Sequence, residues 1–135
     1  MPDVVTCILK NKEEKILILK RSDKVGTYKK LWSGVSGYVE KNEAPMDTAY
    51  KEIREKTGLL KGDIEFIRQG ETVSLKDEYE RKTYNWNIFP FLFISKYSKI
   101  NIDWEHSEYR WISPSKIEDY DTVPGFLKVV SNLQK

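Results

Sequence analysis

Cysteine and histidine are almost missing from this sequence of 135 residues, which contains one of each, Cys7 and His106. A single cysteine excludes an intrachain disulfide and a structural zinc site built on several thiolates. Because Cys7 falls in a predicted strand, we expect it to be a buried apolar residue rather than a nucleophile. The lack of disulfides favours a reducing compartment, so we expect a cytoplasmic protein.

Long hydrophobic runs and an excess of one charge are also lacking. The longest apolar run, within NIFPFLFIS, is too short to cross a bilayer, and the first ten residues lack the features of a signal peptide. Lys and Arg number 23 against 21 Asp and Glu, which gives a net charge of +2. This near balance gives no reason to expect a nucleic acid or a membrane as partner.

The remaining composition is typical of a folded protein. Hydrophobic residues make up 39% of the chain and aromatic residues 13%, which argues against disorder. The length suits one domain, and no internal repeat or low-complexity segment divides it. We therefore expect a single domain covering residues 1–135.

Apolar alternation and β-branched residues predict a sheet. Strands are predicted at residues 4–9, 15–20, 34–40, 64–69, 71–75, 84–95, 100–104 and 109–112. Segment 84–95 is apolar on both faces in its second half, which is typical of a central strand. Pro45 and Gly58 bracket one helix, and a second begins near residue 124. This order favours an α/β fold with a mixed sheet between helices.

The stretch GYVEKNEAPMDTAYKEIREKTGL concentrates acidic residues on one loop and helix. Glu52 and Glu55 are three residues apart and share a helix face opposite the predicted apolar stripe, so we expect both to point away from the core. With Glu40 or Glu43 arriving from the loop, they could hold a hard divalent ion such as Mg²⁺ through oxygen ligands. An alternative is a solvated helix joined by the pairs Lys51–Glu55 and Glu52–Lys56.

The same stretch resembles the signature of the Nudix hydrolase (MutT-like) family. That signature is Gly, five residues, Glu, seven residues, Arg-Glu, an aliphatic, any residue, Glu-Glu, any residue, Gly and an aliphatic. The matches at the required spacing are Gly37, Glu43, Glu52, Ile53, Glu55, Gly58 and Leu59. LWSGVSG and EYRWISPSKI resemble the family's flanking segments, so the resemblance covers nearly the whole chain.

The resemblance implies a Nudix fold, an α/β/α sandwich, and hydrolysis of the pyrophosphate linkage of a nucleoside diphosphate joined to another moiety. It implies Mg²⁺ or Mn²⁺ as cofactor, a small-molecule substrate, and either a monomer or a homodimer. Carried over by position, Glu52 and Glu55 become metal ligands, and Glu52 also helps to activate water. Glu43 would orient the helix, and the carbonyl near Gly37 would be a further metal ligand.

Two positions depart from the family pattern. Lys51 replaces the arginine and lacks the planar fork that holds a carboxylate through two nitrogens. Lys56 replaces the second glutamate, so one carboxylate ligand is lost and a cation lies four residues from Glu52. Lys56 would either weaken metal binding or hold a substrate phosphate as a point charge. A binding or regulatory module with weakened catalysis is therefore the alternative to a working enzyme.

Other candidates lie outside the helix. Glu105 and Glu108 fall in a predicted loop from which related enzymes supply another acid, and His106 between them is expected to be exposed. Arg21 ends a predicted strand, where it could meet substrate phosphates. Trp86 could stack on a base, although packing within the sheet is the simpler expectation.

Overall fold

A mixed β-sheet forms the centre of the protein, for which a computed structural model describes residues 2–134. The sheet has eight strands in the described part of the chain. They are β1 (Asp3–Lys10), β2 (Ile16–Arg21), β3 (Trp32–Ser33), β4 (Val35–Tyr38), β5 (Ile64–Gln69), β6 (Val73–Tyr79), β7 (Lys82–Ser95) and β8 (His106–Ile112). The helices are α1 (Pro45–Thr57) and α2 (Phe126–Leu133), with short 3₁₀ segments at Lys61–Asp63 and Pro114–Asp119.

Strands β1 and β7 form the middle of the sheet. They pair in parallel along the whole of β1, from Asp3 opposite Asn87 to Lys10 opposite Ile94. All other strand pairs are antiparallel: β4 and β2 pair with β1, β5 and β6 with β7, and β3 and β8 with β2. The prediction of a central strand over residues 84–95 is confirmed, because its second half is covered on both faces.

Alternation along the inner strands supplies two separate apolar cores. In β1, Val5 and Cys7 face the core that contains Ala49 of α1, whereas Ile8 faces the core that contains Val129 of α2. Burying an aliphatic side chain of this size contributes about 1.5–3 kcal/mol, so each face of the sheet is stabilised by its own helix. The predicted α/β/α sandwich is confirmed, and so is the burial of Cys7.

Helix α1 begins and ends at the predicted residues. Pro45 occupies its first turn, and Gly58 follows it in the left-handed conformation with φ 77° and donates its N–H to the carbonyl of Arg54. Ala49 and Ile53 are fully buried on the helix face that packs against β1 and β4. Proline fits the first turn because it has no N–H to satisfy there, and glycine fits the left-handed position at no steric cost.

The prediction of a strand at residues 100–104 is wrong. Ile100 is buried in the core beneath α1, and the N–H of Asn101 donates to the carbonyl of Thr57 at the end of that helix. The apolar alternation arises because a loop lies along the core, not because the segment joins the sheet. Strand β6 also extends further than predicted, to Tyr79.

None of the helices within residues 2–134 has the length and apolar character needed to cross a membrane.

Candidate active site

A cavity of about 420 Å³ opens between α1, β4, the loop after β2 and the loop before β8. Its walls carry acids, bases and aromatic rings. The charged and aromatic residues that line it are Arg21, Tyr28, Tyr38, Glu40, Glu52, Glu55, Lys56, Trp86, Glu105 and Phe126. Of the residues predicted to form a site, Glu43 and Glu108 do not line this cavity.

Glu52 lies against the backbone of β4. A Cβ atom added to Gly37 would overlap the Glu52 carboxyl, so glycine is what allows this side chain to lie against the strand. Glu52 is only 8% exposed, and this burial, together with neighbouring Glu55, raises its pKa to about 7 against the opposing effect of Lys56. The expectation that Glu52 points away from the core is wrong, because its helix face packs against β4 and is not exposed to solvent.

Glu55 is exposed on α1 and lines the same cavity as Glu52 and Gly37. The structure therefore brings together the three residues that the resemblance marks as metal ligands. Their ligand role stays a prediction.

Lys56 lies at the centre of a group of three carboxylates. Its ammonium donates to Glu105 and lies 3.3 Å from Asp103 Oδ2 and 3.8 Å from Glu52 Oε1. The residue is only 7% exposed. Burial disfavours the ammonium, but the bond to Glu105 and the charges of Asp103 and Glu52 outweigh burial and raise the pKa of Lys56. Lys56 is therefore a charged, buried side chain surrounded by acids.

Asp103 joins Lys56 to His106. The second carboxylate oxygen of Asp103 lies 2.8 Å from Nδ1 of His106, which is only 8% exposed. Burial lowers the pKa of His106 despite the hydrogen bond to Asp103. The expectation of an exposed histidine is wrong, and Asp103 was missed because no spacing rule relates residue 103 to residue 56.

Glu43 is held at the start of α1 by Lys51 and Thr48. The Lys51 ammonium donates to both carboxylate oxygens of Glu43, at 3.1 and 2.9 Å, and the Thr48 hydroxyl donates to one of them at 2.5 Å. The hydrogen bond from Thr48, followed by that from Lys51, lowers the pKa of Glu43 to about 2. A single ammonium thus contacts both oxygens without a guanidinium fork.

Arg21 reaches the cavity from the end of β2. Its Nε and one Nη donate to the carbonyl of Thr27 at 3.0 and 2.9 Å. Burial lowers the pKa of the guanidinium, with Glu105 opposing this effect. The side chain is thereby fixed on the loop that forms one wall, where a phosphate group could meet it.

Aromatic residues form another wall of the cavity. Trp86 stacks on Tyr84 with ring centroids 5.5 Å apart, and its Nε1 donates to the hydroxyl of Tyr38 at 3.3 Å. The ring of Tyr28 lies 6.0 Å from that of Trp86. Trp86 packs against the core beneath α2, as the simpler expectation had it, and it also lines the cavity, where Tyr28 and Tyr38 were not expected.

The prediction that Glu108 lies in a catalytic loop is wrong. Glu108 is part of β8, opposite Lys20 of β2, and accepts a hydrogen bond of 2.7 Å from Arg110 on its own strand. Because β8 begins at His106, this strand carries Glu108 away from the cavity.

The acids of the cavity do not form a ready-made cage for a divalent ion. Within residues 2–134, no group of three or more His, Cys, Asp and Glu side chains is arranged to hold a metal. Glu52, Asp103 and Glu105 converge, but the point of convergence holds the Lys56 ammonium. The position is thus occupied by a cation of the protein itself.

Solved structures share this architecture. An Ap4A hydrolase from C. elegans superposes with a TM-score of 0.78 at 14% identity, over 99% of this chain and 96% of its own. The NUDIX domain of NrtR from Shewanella oneidensis, determined with ADP-ribose, gives a TM-score of 0.72 at 17% identity, over 98% and 85%. At these identities the likeness shows the fold, which is the Nudix α/β/α sandwich.

Sequence comparison gives the family. A model described as the NUDIX domain matches residues 1–133, so the chain belongs to the NUDIX domain family. The chain is also 27% identical over 130 residues to an RNA pyrophosphohydrolase from Pelagibacter ubique, covering 85% of this chain and 78% of that protein. The predicted family is confirmed.

Proposed function

We propose that this protein hydrolyses the pyrophosphate linkage of a nucleoside diphosphate derivative bound in the cavity. The observation that supports this best is the composition of the cavity wall in a member of the NUDIX family. Acids of α1, two cations and an aromatic surface all line one space. A substrate with a phosphorylated end and a base has groups that suit each of them.

Arg21 and Lys56 would bind the phosphate oxygens, and Trp86 would contact the base. A water oxygen attacks one phosphorus, the P–O bond to the bridging oxygen breaks, and the two phosphorylated products leave. Glu52 would accept the proton that the water loses, since it is the carboxylate of α1 buried at the wall. Charge on the phosphates is stabilised by Arg21, which the loop carbonyl of Thr27 holds in place.

Dependence on Mg²⁺ or Mn²⁺ is part of the same proposal. Glu52, Glu55 and the backbone near Gly37 are the groups that would hold an ion, which would supply positive charge to the phosphates. These three residues share the cavity wall, and their oxygen atoms are of the type that both metals prefer.

A panel of substrates tests the proposal. Nucleoside triphosphates, ADP-ribose, dinucleoside polyphosphates and NADH would be incubated with the protein and Mg²⁺ or Mn²⁺, and products separated by chromatography. We expect turnover of at least one compound, reduced about 100-fold or more in Glu52→Gln. The control Glu65→Gln changes an exposed acid on β5 and should keep full activity. Equal turnover by both variants would exclude Glu52 as the proton acceptor.

The second candidate function is a nucleotide-binding module with weakened catalysis. The observation in its favour is the ion-pair network, in which Lys56 contacts the acids Glu52, Asp103 and Glu105. Under this alternative, compounds of the same panel raise the melting temperature and are recovered unchanged. Turnover that disappears in Glu52→Gln would exclude it.

A further inference from the structure

The cluster formed by Lys56, Glu52, Asp103 and Glu105 resembles a cation site that contains its own cation. Two of the acids come from the loop before β8 and one from the same helix as the lysine. An ammonium has three N–H groups, and here it faces three carboxylates. Glu105 accepts a hydrogen bond from Lys56, and Asp103 and Glu52 lie within ion-pair distance of its ammonium.

Three converging carboxylates need positive charge between them. Like charges within a few ångströms repel strongly where burial excludes water, so the cluster would be unfavourable without a cation. The side chain of Lys56 is 9% exposed, that of Glu52 10%, that of Asp103 17% and that of Glu105 30%, so solvent screens these charges only in part. A cation at this point therefore stabilises the charged forms of these acids.

The covalent attachment of that cation distinguishes it from a free ion. Lys56 lies within α1, and its backbone position is fixed by the packing of Ile53 and Ala49 against the sheet. An ion entering the cluster would have to displace an ammonium whose contacts with Glu105 and Asp103 are already made. If the ion displaced the Lys56 ammonium, that charge would also lose the acids that offset the cost of its burial.

We propose that the Lys56 ammonium is the resident cation of this cluster and excludes a divalent ion from the point where Glu52, Asp103 and Glu105 converge. Lys56 lines the cavity, so a phosphorylated ligand bound there would meet this ion-paired cluster rather than a divalent ion at this point. This last consequence rests on the proposed function, since it needs a phosphorylated ligand. The exclusion of the divalent ion does not.

Counting bound Mn²⁺ by electron paramagnetic resonance tests the exclusion without any substrate. Lys56→Glu replaces the cation with a fourth carboxylate, and we expect it to bind one more Mn²⁺ than the wild type, at least about tenfold more tightly than any wild-type site. Lys56→Met keeps the length of the side chain without its charge and should also gain the ion. Lys128→Glu, an exposed residue of α2, makes the same change in net charge and should bind Mn²⁺ as the wild type does.

A second substitution locates the gained ion. Lys56→Glu combined with Asp103→Asn should lose it, whereas Asp103→Asn alone should leave Mn²⁺ binding at the wild-type level. The proposal is overturned if either folded Lys56 variant binds Mn²⁺ no better than Lys128→Glu. It is also overturned if Asp103→Asn, with Lys56 unchanged, binds Mn²⁺ more weakly than the wild type. This comparison can be made even if the Lys56 variants do not fold.

The proposed hydrolysis and the proposed resident cation can be disproved independently of each other. Absence of turnover with every compound of the panel would contradict the proposed hydrolysis and leave the Mn²⁺ counts unaffected. Equal Mn²⁺ counts in the wild type and the Lys56 variants would contradict the resident cation and leave the hydrolysis standing.

Discussion

At the scale of single residues, Glu43 shows how a loop carboxylate is fixed before a helix begins. Its oxygens accept hydrogen bonds from Thr48 and Lys51, both on α1, and one oxygen also accepts from the backbone N–H of Glu40. These donors favour the charged form of the carboxyl. The loop and the helix are thereby joined through one side chain.

The pH dependence of stability should reveal this contact. Because the folded state lowers the pKa of Glu43 from 4.5 to about 2, its contribution is complete above pH 4.5 and is lost as the pH falls towards 2. We expect the free energy of unfolding, measured in urea, to fall less steeply over this range in Glu43→Gln than in the wild type. The effect of Glu52 has the opposite sign and lies between pH 4.5 and about 7.

A matched acid serves as control for this measurement. Glu65→Gln removes an exposed carboxyl of β5 and should follow the wild-type slope. Identical slopes for Glu43→Gln and the wild type would show that the hydrogen bonds of Glu43 do not persist in solution.

The site residues carried by one helix could be predicted as a group from sequence. The spacing of Glu52 and Glu55 predicted that both share one helix face, and both do line the cavity, because a helix fixes its own geometry. The partners of Lys56 could not be predicted, since Asp103 and Glu105 reach it from a loop positioned by tertiary packing. For the same reason the sequence left open whether Lys56 competes with a metal for Glu52 or holds a substrate phosphate.

At the scale of elements, the contact between β4 and α1 decides where the acids of the helix point. The absence of a side chain at Gly37 leaves the space that the Glu52 carboxyl fills. The helix face that carries Glu52 and Glu55 was expected from the sequence to be exposed to solvent, but part of it is buried against a strand. Periodicity predicts which residues share a face, but the element that covers that face depends on the topology.

Gly37→Ala should move Glu52 without unfolding the protein. The atoms that an added methyl would meet belong to the end of a flexible side chain, so Glu52 can rotate away. We expect the free energy of unfolding to fall by only about 1 kcal/mol or less. A crystal structure of the variant should show the carboxyl shifted out of its contact with β4 and away from Lys56.

Gly62→Ala provides the comparison, because no atom lies within 4 Å of a Cβ placed at that glycine. Its structure should show Glu52 unmoved. An unshifted Glu52 in Gly37→Ala would mean that the strand and helix separate instead.

Among the elements, the inner strands were predicted well and the segment before β8 was not. In β1 and β2 the apolar residues alternate between two cores, which is the pattern that sequence analysis detects. Ile100 and Ile102 show the same alternation, yet they lie on the core as a loop. The difference is that β1 and β2 pair with neighbouring strands and the loop does not, and this pairing cannot be recognised from the local sequence.

At the scale of the whole molecule, one sheet lies between two cores. Each inner strand contributes side chains to both of them, one set on each face of the sheet. Ile53 of α1 belongs to one core and Leu133 of α2 to the other, and both are buried. Because adjacent residues of β1 and β2 face opposite cores, neither core can lose its order while the sheet stays intact. The two cores should therefore unfold together.

Ile53→Ala and Leu133→Ala test this coupling. Each should lower the free energy of unfolding by about 2–5 kcal/mol, the usual effect of truncating a buried aliphatic side chain. In both variants, tryptophan fluorescence and far-ultraviolet circular dichroism should report a single shared transition in urea. Two separate unfolding transitions in Leu133→Ala would show that α2 and its core unfold independently of the rest. That result would contradict the expectation of a single domain.

The parallel pairing of β1 with β7 has a consequence for how the chain is made. Asp3 emerges from the ribosome long before Asn87, its partner in the sheet, so β1 can gain β4 and β2 as neighbours but not β7. Until β7 follows, the apolar strand at the centre of the future sheet keeps one edge open to other chains. Translation paused before β7 should therefore yield a nascent chain that depends on chaperones, whereas the released full-length chain, in which α2 completes the second core, should not.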